Sequence, residues 1–346
     1  MPTPETHTDL EVSSSEARVI ASLLGAGLES EEERISRCGL PRSTYQDTKR
    51  RVYARGLVSD RYVPNPLVFG RPFATLALAR PFAEEMGDWA HRWSKARGAT
   101  VVWKGLQTLF GVFLHAGPQP EIPSLSPHAG GSESPPTENL TVDLRRPSLP
   151  VYFDFEGAWS RFVGGRELWN YPRPLAPHSG RASDGVSKGA REIARSLVHR
   201  TEPSSGSERP PHLLGPVSLP PSSRRLIARG WVGWRSFPRL QPIRLENGAR
   251  LDSMVLISGE VREGHRMSEL FRALVGGERS FPFLMAGDDR RIILGFLSAR
   301  TPPGQERFGN PGGLLTQYLA KLSVAREPME DVLPLVDHRY VQILED

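Results

Sequence analysis

Apolar residues recur at helical spacing near the start of this chain and again half a length later. Shorter stretches between show strand-like alternation. Ala17, Ile20, Leu23 and Leu24 give one apolar face to a helix over 13–24, closed by Gly25 and Gly27. Ser13 with Glu16, and Ser30 with Glu33, have the spacing of capping boxes, in which a hydroxyl and a carboxylate satisfy orphan amides. The second box opens a short helix ending near Cys38, with Glu31, Glu32 and Glu33 where the helix dipole favours acids. Gly39 makes a turn, Pro41 opens a third helix running to Arg55, and Gly56 stops it. Leu57-Val58 and Tyr62-Val63 then predict two strands of a wing, with Ser59-Asp60-Arg61 at its tip.

Beyond this unit, the pattern predicts a strand over 73–79, a helix over 82–95, and strands over 100–103 and 109–114. The stretch 117–147 is rich in Pro, Ser, Gly and Glu and reads as disordered or loop, with a last strand at 149–155. A Trp-, Pro- and Gly-rich connector spans 157–185. Helical spacing returns at 187–198, then a polar loop, a basic helix at 222–229 and Gly230. Strands at 254–258, 281–285 and 291–297, helices at 267–275 and 313–322, and a final strand within 332–344 complete the series.

The two halves are related. Residues 49–64 (KRRVYARGLVSDRYVP) and 223–238 (SRRLIARGWVGWRSFP) agree at eight of sixteen positions, at a constant offset of 174. Self-similarity at a fixed period marks a duplication. The chain therefore reads as α+β, with two tandem copies of a winged helix-turn-helix, each followed by a unit of strands and helices in β-α-β-β order. The units are 13–66, 72–156, 186–240 and 250–346, the third being degenerate.

Composition places the charge. The chain nets +5 with a pI near 9.5. Eight Arg/Lys against two Asp fall between Arg34 and Arg61, and five Arg with no acid fall between Val217 and Arg239. Such basic windows suit a nucleic-acid partner. A single cysteine excludes an intramolecular disulfide and a cysteine zinc cluster. Residues 1–12 lack a signal-peptide core, and no apolar run is long enough to cross a membrane, so the expected location is cytoplasmic.

The succession of a capped short helix, Gly-Leu-Pro-x-Ser-Thr (39–44), a basic helix and Arg-Gly-Leu-Val (55–58) resembles the DNA-binding domain of the Lrp/AsnC regulators. Pro41 stands where that family has a turn Ser, and Tyr45 where it has Val. The resemblance implies a ferredoxin-like effector domain after each winged helix. It also implies a transcription regulator binding double-stranded DNA, two winged helices carried by one intrachain pseudo-dimer, and no enzymatic activity.

In that reading Arg42, Ser43, Thr44, Tyr45 and Gln46 reach base edges, while Thr48, Lys49, Arg50, Arg51, Arg55 and Arg61 meet phosphates. In the second copy Arg224, Arg225 and Arg229 remain, but Pro216, Pro220 and Pro221 shorten the helix. The resemblance also implies an amino-acid-like effector at the turn Gly287, Asp288 and Asp289; a plain hairpin explains the same turn. No cofactor or metal is expected, because the histidines lack paired zinc spacing. Two rivals stand beside this reading. One is a protein-interaction module that uses winged domains without DNA. The other is an enzyme built on Asp154 and Glu156, which alternate on a strand.

Overall fold

The computed structural model describes residues 10–24, 30–119, 137–146, 152–153, 158–159, 162, 186–201, 219–276, 281–288, 290–300, 312–336 and 339–344. It consists of two tandem copies of a winged helix-turn-helix followed by a ferredoxin-like α+β sandwich.

The first winged unit holds α1 (Ser14–Leu24), α2 (Glu31–Cys38) and α3 (Arg42–Ala54). Both capping boxes form. Ser13 N–H donates to Glu16 Oε2 at 3.0 Å, and Ser30 N–H to Glu33 Oε2 at 2.7 Å. Ile20, Leu23 and Leu24 of α1 are buried, as are Tyr45 and Val52 of α3. In the second unit α5 (Lys188–Thr201) and α6 (Pro221–Ala228) are the counterparts of α1 and α3. Eight residues of α6 stand against thirteen of α3, because the chain reaches α6 through Pro220 and Pro221 sits in its first turn.

Among the described residues, the wing strand of each copy pairs with that of the other copy and not back on itself as a hairpin. Residues 58–64 make one strand, β2 (Val58–Pro64), and it pairs antiparallel with β8 (Val232–Pro238) of the other copy. The expected tip residues lie inside the molecule, with Asp60 6% and Arg61 4% exposed. The Asp60 carboxylate accepts a hydroxyl from Tyr53 and one from Ser236, each at 2.6 Å. Tyr62 and Trp234 pack edge to face across the same ladder, centroids 4.5 Å apart. A polar tip is thus converted into a junction, because its backbone groups find the sister strand rather than water.

The first α+β unit is β3 (Phe73–Ala79), α4 (Met86–Lys95), β4 (Ala99–Lys104), β5 (Leu109–His115) and β6 (Thr137–Asp143). Strand β6 pairs with β3 over its whole length, from Phe73 opposite Asp143 to Ala79 opposite Thr137. It lies within the stretch whose composition reads as loop. The alternation in Thr137–Asp143 puts Leu140 and Val142 inward, which is enough for an edge strand.

The second unit is β10 (Arg250–Val261), α7 (Met267–Gly276), β11 (Phe281–Gly287), β12 (Arg291–Arg300), α8 (Gly312–Tyr318) and β13 (Leu319–Pro328). Its fourth strand is β13, which leaves α8 without a loop, whereas the apolar spacing extends the helix to Leu322. The open edge of β10 captures residues 319–328 as a strand. Two short strands precede this sheet in space: β1 (Leu10–Val12) pairs parallel with β9 (Ile243–Leu245), and β9 pairs with β10.

The two sheets exchange their last strands. β7 (Tyr152–Phe153) of the first copy pairs with β11 of the second, and β14 (Leu333–Val336) of the second pairs with β4 of the first. Trp103 of β4 and Phe283 of β11 meet between the sheets, centroids 5.7 Å apart. One buried apolar cluster runs through both winged units and the inner faces of both sheets, while α4 and α7 each cover an outer face.

Candidate ligand cleft between the two copies

The residues expected to read DNA are divided by the fold. Tyr45 and Thr48 are fully buried, and Thr48 Oγ1 accepts from Arg51 Nη2 at 3.2 Å. Lys49 Nζ lies 2.7 Å from Glu31 Oε1, and Arg55 Nη1 lies 2.7 Å from the buried Glu16 carboxylate. Burial alone would raise the pKa of Glu16, but the hydrogen bonds from Arg55 and Ser13 outweigh it and hold it below the usual carboxylate value. Arg42 pairs with Glu32 and Arg50 with Asp47, each at 3.6 Å on the surface. Ser43, Thr44 and Arg51 are exposed, Gln46 is half-buried, and Arg61 stacks over Phe237 inside the junction. In the second copy Arg224, Arg225 and Arg229 are exposed; Arg224 Nε donates to Leu219 O at 2.8 Å, and Arg229 lies over Trp231. Much of the positive charge that suggested an anionic partner is met by acids of the same winged unit.

The expected effector turn is also spent on itself. Asp288 Oδ1 accepts from the backbone of Arg290 and Arg291, at 2.9 and 2.7 Å, and its Oδ2 pairs with the Arg291 guanidinium at 3.0 Å. Those bonds overcome the opposing effect of burial and lower its pKa. Gly287 fits because a Cβ there would come within 2.3 Å of the Met267 methyl. Asp289, like Asp154 and Glu156, lies outside the described residues.

Beside this turn a cleft of about 310 Å³ opens between the copies. It is walled by Thr137, Glu138, Asn139 and Leu140 of β6, Ser258, Gly259 and Glu260 of β10, Arg291 and two isoleucines of β12, and Lys321 of β13. Arg291 bridges the copies: Nη1 donates to Asn139 O at 3.3 Å while its other edge is held by Asp288. Lys321 Nζ meets Glu260 Oε1 at 2.9 Å, with both side chains well exposed.

Two features distinguish this cleft. Ser258 Oγ is buried, in a residue only 5% exposed, and no described group satisfies it. An unmet buried hydroxyl costs about 1–3 kcal/mol. Lys321 has φ +49, the one left-handed non-glycine residue among those described. That backbone costs about 1–2 kcal/mol outside glycine. It arises where the β10–β13 register shifts, between Ser258 and Glu260. Strain and an orphan hydroxyl lie side by side here, and stored backbone strain clusters at binding sites.

Arg291, Lys321, Glu260 and the Ser258 hydroxyl belong to the second copy, while the first lends the edge strand Thr137–Leu140 with Glu138 and Asn139. The inner face of the first sheet carries Leu76, Leu78, Phe110 and Val112, all buried. Sequence reading passed over Ser258, Glu260 and Lys321 because they are scattered across two strands with no motif spacing. Their only trace is the contrast with the apolar inner face of the first sheet, which needs the strand registers to be seen. Among the described residues no group of three or more His, Cys, Asp or Glu is arranged to hold a metal, and no helix is long and apolar enough to cross a membrane.

No family model and no curated protein matches this chain. Among solved structures it is similar to the siroheme decarboxylase NirDL, at 12% identity with a TM-score of 0.44. It is likewise similar to NirDL in co-complex with an iron-uroporphyrin III analogue, at 13% identity and 0.43. Each alignment covers 95% of this chain and 96% of the other. Both structures are of an enzyme, and one of them holds an iron-uroporphyrin III analogue. They correct the expectations of a Lrp/AsnC-like transcription regulator, of double-stranded DNA and an amino-acid-like effector as partners, and of a non-enzymatic chain. The physical reason agrees: the wings are consumed in joining the copies, and several of the expected contact residues are buried or paired. At this level of likeness no activity is carried over from them.

Proposed function

We propose that the protein binds a small organic molecule through a carboxylate, in the cleft between its two α+β domains. The single observation that carries this reading is the orphan hydroxyl of Ser258 beside Arg291 and Lys321. Ser258 supplies a buried donor, and Lys321 carries three donors of which Glu260 meets one. Arg291 lines the same wall and is held rigid by Asp288 and Asn139. A ligand carboxylate takes the place of Glu260 on Lys321 and accepts from Ser258, which removes the cost of the unmet hydroxyl. The volume lies at the lower end of ordinary small-molecule sites, so a compact ligand or one carboxylated arm of a larger one fits. A cytoplasmic location belongs to this reading, and the lone, buried Cys38 fits a reducing interior without requiring one.

The test is calorimetric titration of the full chain with a panel of carboxylates, from citrate and glutarate to iron-uroporphyrin III, with the products of each mixture analysed for turnover. Binding that drops in Ser258→Ala and Arg291→Ala and strengthens in Glu260→Gln supports the cleft. Binding unaffected by all three substitutions, or no binding across the panel, overturns it.

A further inference from the structure

A carboxylate of the second copy is buried in the β4–β5 turn of the first. Glu327, near the end of β13, is 1% exposed. Its Oε2 accepts the Leu106 N–H at 2.7 Å, and its Oε1 accepts the Gln107 N–H at 3.2 Å and the Thr108 hydroxyl at 2.6 Å. Gly105 lies flat against it: a Cβ there would come within 2.6 Å of the Glu327 carboxyl carbon. These donors are neutral and belong to consecutive residues of one turn. Successive amides converging on one point form an anion-binding nest.

The turn has a closure of its own, Gly105 N–H to Thr108 O at 2.8 Å, and the guest arrives from about 220 residues away in sequence. It arrives on a clasp. Glu327 is followed by Pro328, a short 3-10 turn at Met329–Asp331, and β14. β14 pairs with β4, the strand that leads into the same turn, with Leu333 opposite Lys104. The second copy thus holds both the amides of the turn and the edge beside them.

We propose that the β4–β5 turn is a carboxylate-binding cradle which the chain occupies with its own Glu327, an internal plug that an external carboxylate can replace. The proposal is independent of the cleft at Ser258, since the two sites share no residue.

The test is Glu327→Ala in the full chain, with thermal unfolding followed in formate, acetate and chloride at matched ionic strength. Three donors lose their acceptor, so the midpoint in chloride falls by roughly 5 °C. Formate, which refills the cradle, restores at least half of that fall, while wild type and Glu327→Gln respond equally to formate and chloride. A variant that gains no more from formate than from chloride overturns the proposal, as does an equal gain in wild type. Should the variant not fold in chloride, its refolding yield is compared in the two salts, and equal yields overturn the proposal as well.

Discussion

Arg61 and Arg235 lie opposite one another at the centre of the β2–β8 ladder, and each is the other's counterpart in the 174-residue repeat. An antiparallel pair in which a residue meets its own copy has a two-fold axis through that point. The duplication is therefore a pseudo-dimer closed at Arg61, with a second closure where β7 and β14 are exchanged between the sheets.

That junction buries Asp60, whose pKa is raised by burial against the opposing hydrogen bonds from Ser236 and Tyr53. A carboxyl with a folded pKa above its unfolded value binds more protons folded than unfolded. Its contribution is complete below the unfolded value near 3.8 and is lost as pH rises towards the folded value. Urea unfolding across pH should show this decline in wild type and a flatter profile in Asp60→Asn. Parallel profiles would remove Asp60 as its source.

Glu16 has the opposite sign. Its pKa is lowered, so its contribution is present above the unfolded value of 4.5 and is lost as pH falls through the folded one. Arg55→Ala strands this buried carboxylate and should cost about 3 kcal/mol at neutral pH. With the Arg55 bonds gone, burial opposes only the Ser13 hydrogen bonds, so the acid-side slope should flatten. Arg50→Ala, on an exposed pair, should stay within about 0.5 kcal/mol. Denaturant midpoints for the two variants check the contrast.

Lys321 stores strain at the cleft. Lys321→Gly should stabilise the chain by about 1 kcal/mol, because glycine accepts φ +49 freely. The same change removes the ammonium, so affinity for the best carboxylate of the panel should fall about tenfold, a loss of ~1.4 kcal/mol. Stability and affinity moving together would show that the strain serves packing alone.

Gly56 and Gly230 are repeat counterparts with φ +63 and +68, each ending the basic helix of its copy. Alanine at either position should cost about 1–2 kcal/mol, with neither site sterically crowded. Thermal unfolding of the two single variants and the double variant checks this, and the two costs should add, since neither glycine touches the other.

Local chemistry made much of this legible from residues alone. The capping boxes at Ser30 and Ser13, the stops at Gly39 and Gly56 and the proline-shortened α6 depend on neighbours within a few positions, so the sequence by itself determined these helix ends and, through the repeat, the duplicated α+β plan. Tertiary structure decided what pairs with what. Ser59-Asp60-Arg61 reads as a polar tip until β8 lies against it. Residues 137–143 read as loop until β3 offers an edge, and 319–322 read as helix until β10 does. The cleft came the same way, since Ser258, Arg291 and Lys321 become one site only when three strand registers and the second copy's departure from the first are set together. A backbone hydrogen bond is as good to a distant strand as to a near one, and the chain's own spacing carries no record of which it will be.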